Sequence, residues 1–116
     1  TVRPGQDAAF LAVLKAYAAA YAAAGDSTPW VTYQAIAGGA GSSYYLFVPM
    51  ESYGLLDSEL AASGAIGSKM LSPTEVAAQF AASTERVDTQ VLTISPQISY
   101  VPEKFADQDK AFWKAK

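Results

Sequence analysis

The chain has 116 residues, enough for one domain with its own core, and no linker divides it. Half of it (51%) is hydrophobic, much of that alanine, and the net charge of −3 comes without a basic block, which argues against a nucleic-acid partner. With no cysteine and no histidine, disulfides, thiolate chemistry, zinc–sulfur sites and imidazole catalysis are excluded.

The uninterrupted apolar runs are far shorter than a bilayer requires, so no transmembrane segment is expected. Thr1-Val2-Arg3 has the composition of a strand end. A cleaved secretory leader would explain a sequence that starts there, and so would trimming of a longer chain; of the locations, export is favoured over the cytoplasm.

Arg3-Pro4-Gly5 forms a turn, and Gln6-Asp7 opens a helix running to about Ala24. Phe10, Val13, Leu14, Tyr17 and Tyr21 recur at three- and four-residue steps and share one face, while alanine supplies helix propensity elsewhere. Gly25 suits a left-handed cap.

Two β-rich runs follow, Trp30–Ala37 and Ser43–Met50, joined by Gly38-Gly39-Ala40-Gly41-Ser42, a pattern that predicts an antiparallel hairpin. Neither face of that hairpin is plainly polar, so both faces need cover. Pro49 marks a strand end or an edge.

Leu55, Leu56 and Leu60 predict a short helix from about Ser52 to Ala62, and Ser63–Ser68 predicts a break. Ser72-Pro73-Thr74-Glu75 carries a helix start signal, with the helix extending to about Arg86. Val87–Ser95 is β-branched and predicts a strand, with Gln97–Val101 continuing it beyond Pro96. The charged tail from residue 102 to 116 holds Phe105, Phe112 and Trp113, which should dock on this subunit or a neighbour. The order of elements predicts one α+β domain, a ferredoxin-like sandwich with an antiparallel sheet.

The Val2-Arg3-Pro4-Gly5 turn, the aromatic-bearing helix and the Trp30-Val31-Thr32-Tyr33-Gln34 strand resemble the dimeric α+β barrel superfamily. That group includes antibiotic-biosynthesis-monooxygenase-like and NIPSNAP-like small proteins. The resemblance implies a homodimer with two sheets face to face across a two-fold axis. It also implies a cavity between helices and sheet, used in some members for cofactor-free oxygenation, isomerisation or haem binding. The absence of histidine disfavours the haem-binding branch, and no cofactor is expected.

Trp30, Thr32 and Gln34 alternate along one strand, and Thr93 belongs to an alternate set in the last one. With Tyr17 and Tyr33 they form a candidate pocket for a small apolar or aromatic molecule. The bland alternatives are core tyrosines with satisfied hydroxyls, and a glutamine and threonines that bridge subunits or meet water. Glu51 and Tyr53, just beyond the second strand, complete the candidate set as acid/base groups. A solvated glutamate near a helix start is the commoner arrangement. Arg3 suits an anionic group or a surface ion pair. No acidic pair is backed by other ligands, so no metal is expected.

Three functional readings follow. The first is a dimeric module that binds a small apolar or aromatic molecule without turning it over. The second is a cofactor-independent monooxygenase- or isomerase-like enzyme that works through Glu51, Tyr33 or Tyr53. The third is a non-catalytic interaction module.

Overall fold

The computed structural model describes residues 1–70 and 72–114. Helix α1 spans Asp7–Ala24. Its C-terminus is closed by Gly25, whose φ of 66° is readily reached only without a Cβ. Asp7 lies in the first turn, where a carboxylate complements the unpaired amides of the helix start.

Strands β1 (Val31–Gln34) and β2 (Tyr44–Phe47) pair antiparallel, Val31 opposite Phe47 and Gln34 opposite Tyr44. Gly38, Gly39 and Gly41 all take positive φ in the connection, which is how a glycine-rich loop reverses the chain. The strands are shorter than the β-rich sequence around them. Only eight residues form a ladder, flanked by isolated contacts.

A turn of 3-10 helix at Tyr53–Leu55 leads directly into α2 (Leu56–Ser68). This helix runs through Ser63–Ser68, where the sequence predicts a break. Two glycines within a helix each cost about 1 kcal/mol relative to alanine, and burial of Ile66 offsets that cost. Gly67 also lies against Tyr17 of α1, where an added Cβ would meet the ring at 3.7 Å.

Helix α3 (Pro73–Ser83) starts where the Ser-Pro-Thr-Glu signal places it, although the Ser72 side chain makes no cap bond, and it stops before Arg86. Beyond it Val87–Ser95 forms no helix or strand, and its backbone pairs with no strand among the described residues. A 3-10 turn at Pro96–Ile98 replaces the expected strand continuation. Short helices α4 (Glu103–Ala106) and α5 (Lys110–Trp113) end the described chain.

The core is small. Val2, Phe10, Val13, Ile66 and Ala106 are its buried apolar members, and Val13 is 1% exposed. Phe10 stacks at a tilt on Tyr44 of β2 at 4.9 Å and lies 6.2 Å from the ring of Phe80 on α3. Val2 makes isolated antiparallel bridges to both Ser42 and Thr84, so it ties the hairpin to the end of α3. Phe105, Phe112 and Trp113 form a separate aromatic cluster in the tail, with ring centroids 5.0 and 5.7 Å apart.

These elements correct the fold expected from sequence. The chain is mostly helical with a two-stranded sheet, rather than a ferredoxin-like sandwich, and the monomer gives no support to a dimeric α+β barrel. The decisive difference is Val87–Ser95. Its β propensity finds no neighbouring strand in the monomer, and propensity without a partner leaves a loop.

Helix α1 is also long and apolar enough, by length and composition, to cross a membrane, although its apolar runs are short. In this structure Phe10 and Val13 pack into the core. Replacing Val13 by alanine therefore tests the role of this helix. Val13→Ala should lower unfolding free energy by about 2 kcal/mol in urea titration, from lost burial plus a residual cavity. A loss below about 0.5 kcal/mol would show that α1 is not packed as described.

Candidate functional site

Strand alternation gives the hairpin two faces of different character. Trp30, Thr32, Gln34, Tyr44 and Leu46 fall on one. This is the face that meets α1, through Phe10 against Tyr44 and an edge-on contact of Tyr21 with Trp30 at 6.0 Å. The Tyr44 hydroxyl donates to Asp7 Oδ1 at 3.0 Å. Thr32 Oγ1 is buried there without a hydrogen-bond partner among the described residues.

The opposite face carries Val31 and Tyr33 from β1 and Tyr45 and Phe47 from β2. It is about half exposed. These four side chains are 47, 59, 54 and 46% exposed, although Tyr33 and Phe47 meet edge to face at 5.6 Å. A diagonal aromatic pair of this kind holds its own geometry on a sheet surface. The result is a preformed apolar platform with two phenol hydroxyls at its margin.

The eight candidate residues do not converge. Trp30 and Thr32 lie half-buried on the α1 side, while Gln34, on the same side, is exposed. Tyr17 is half-buried between α1 and α2. Tyr33 points the other way, onto the uncovered face. Glu51 and Tyr53 are both exposed, Tyr53 to 74%. Thr93 lies apart from all of these, in an open groove of about 610 Å³ shared with Ile94, Pro96, Asp109 and Phe112. The one carboxylate in that groove is already engaged: Asp109 caps α5 by accepting from the Phe112 amide at 3.1 Å. Arg3 is exposed and forms no ion pair among the described residues. Nor do three acidic side chains gather among those residues.

Sequence reasoning passed over Val31, Tyr45 and Phe47. The alternation that reveals them was visible, but not which of two apolar faces the helix would choose. No family model, curated protein or solved structure matches this chain, so nothing in those comparisons bears on the resemblance to dimeric α+β barrel proteins.

Tyr44 is the group whose ionisation the site perturbs. Burial pushes its phenol above the ordinary tyrosine value, and the hydrogen bond to Asp7 and that residue's negative charge push it the same way. The folded state thus keeps a proton that the unfolded state releases. The resulting stability is fully present below about pH 10 and is lost as pH rises through the raised folded value. In alkaline unfolding, the native chain should lose stability more steeply above about pH 10 than Tyr44→Phe. At neutral pH that variant should be weaker by about 1 kcal/mol. Parallel curves would show that the Asp7 contact does not form.

Proposed function

We propose that the protein is a self-associating, non-catalytic binding module whose working surface is the aromatic face of the hairpin. Two copies cover that face mutually and take a small apolar or aromatic molecule between them. The observation that carries this reading is the platform of Val31, Tyr33, Tyr45 and Phe47 on the side away from α1.

The chain as a whole leaves surface enough for a contact with a second copy. The chain exposes 8858 Å², whereas a compact monomer of this length exposes about 6,000 Å². A standard interface removes about 800 Å² from each partner, so the excess exceeds what one such contact needs. The radius of gyration, 17.2 Å, likewise exceeds the roughly 13 Å of a compact domain of this length. An isolated two-stranded hairpin is marginal in water until its apolar face is packed.

The chemistry of the patch favours flat apolar ligands. Tyrosine and phenylalanine rings give large contact area at little entropic cost, and phenol hydroxyls can orient a polar edge. An enzymatic reading has less support. The acid/base candidates Glu51, Tyr33 and Tyr53 are open to solvent and do not gather around one cavity.

Native mass spectrometry at micromolar concentration should show a dimer. Phe47→Ser and Tyr33→Ser should each raise the dimer dissociation constant about 30-fold, as loss of a central aromatic anchor does. Titration with 2-naphthol, followed by its fluorescence, should show saturable binding to the native dimer that either substitution abolishes. A chain that stays monomeric at 100-fold higher concentration would overturn the reading.

A further inference from the structure

We infer that residues 87–95 form an intermolecular strand, pairing with the open edge of β1 on a second copy of the chain. This rests on the self-association just proposed and names the contact that would drive it.

Two observations meet here. The first is a stretch of backbone that has no partner. From Val87 to Ile94 no backbone N–H donates and no carbonyl accepts a hydrogen bond among the described residues. Yet the composition is that of a strand, with three valines and threonines in alternate positions at Val87, Thr89 and Val91, followed by Thr93. Val87, Val91, Leu92 and Ile94 are 62, 51, 70 and 61% exposed. The run contains no proline, and Asp88 is its only charged residue. Left bare, such a segment invites uncontrolled strand pairing.

The second observation is a matching sheet edge. The Ala35 amide donates to the Ser43 carbonyl at 2.9 Å, which fixes Ala35 and Ser43 as a hydrogen-bonded pair. Alternation in an antiparallel ladder then turns the amides and carbonyls of Thr32 and Gln34 outward from β1. No backbone group of the described residues meets them. Neither β1 nor its continuation to Ala37 carries a charge or a proline, so the edge has none of the usual guards.

Geometry assigns the pairing to a second copy. Val2 bridges Ser42 beyond β2, and Thr84 bridges Val2 in turn. The row therefore runs from β1 through β2 and Val2 to Thr84, which places the open β1 edge and the start of 87–95 at opposite ends. Within one copy the two do not meet. A two-fold axis makes two identical donor–acceptor contacts and closes the assembly, whereas head-to-tail pairing without that axis would build an open fibre. The area already noted is ample for this contact together with the aromatic face.

The absence of cysteine makes the test clean. Gln34→Cys protein is mixed with chains that carry one cysteine each at positions 88 through 94, and mildly oxidised. Amide exchange is followed on the native chain across the monomer–dimer concentration range. The expected result is a mixed disulfide from Gln34→Cys to one position in that run, or to alternate ones, because only residues on the facing side bring Cβ atoms within reach. The amides of Thr32 and Gln34 and those of alternate residues in the 88–94 run should exchange at least 100-fold more slowly in the dimer. Val91→Pro should raise the dimer dissociation constant tenfold or more without changing the monomer's circular dichroism, since the Val91 backbone makes no hydrogen bond within its own chain among the described residues. A dimer that forms with these amides unprotected and no mixed disulfide overturns the strand pairing but leaves the aromatic-face reading intact. A monomer throughout overturns both.

Discussion

The structure depends on the contact of Phe10 with Tyr44. One ring on α1 meets one ring on β2 at 4.9 Å, and the same phenylalanine reaches toward Phe80 on α3. It is the point at which helix, sheet and second helix share a core. The Tyr44 hydroxyl fixes the contact at its margin by donating to Asp7 at the start of the same helix. A hydrogen bond to a charged acceptor is stronger than a neutral one. The hairpin face bearing Trp30, Thr32 and Tyr44 is the one that meets α1, although Leu46 on that face stays 48% exposed. The face bearing Tyr33 and Phe47 is left bare. The candidate binding surface is thus the face turned away from this joint.

Much of the local structure was legible because its causes are local. Helix α1 follows from alanine propensity, an apolar stripe and the glycine after Ala24. The hairpin follows from β-branched and aromatic runs around glycines that take positive φ. The start of α3 follows from Ser72-Pro73. Where causes are tertiary, the sequence misleads. The Ser63–Ser68 stretch reads as a break because of its serines and glycines, but Ile66 reaches the core and Gly67 lies against Tyr17, so the helix continues. Val87–Ser95 reads as a strand, and its composition is right for one. Pairing is a property of two segments, and one sequence segment says nothing about whether its neighbour is present.

The site shows the same division. Alternation along β1 correctly groups Trp30 with Thr32 and Gln34, and sets Tyr33 against them. It does not say which group meets the helix. An indole beside a threonine and a glutamine suits an aromatic guest, and the candidate pocket joins Tyr33 to them from the opposite set. The structure places the tryptophan group against α1, and leaves Thr32 with a buried, unpartnered hydroxyl. The more uniform aromatic group lies open. Glu51 and Tyr53, attractive because strand ends often border cavities, stand in solvent because no second layer rises beside them.

The bare face and the unpaired strand are two aspects of one deficiency. A two-stranded sheet has two edges and two faces. Helix α1 meets one face through Phe10 and Tyr21, and Val2 touches one edge at a single residue. What remains exposed is the other face, the β1 edge, and a nine-residue run able to fill such an edge. The buried core is too small to make up for this, since only Phe10 among its members is aromatic. Hydrophobic stabilisation scales with the apolar area removed from water, so a chain that leaves this much apolar area wet sits low on its own stability curve. In the proposed dimer that area is removed by association rather than by folding. The fold and the interface then draw on the same side chains, and the stability of each copy becomes a function of how much of the other is present.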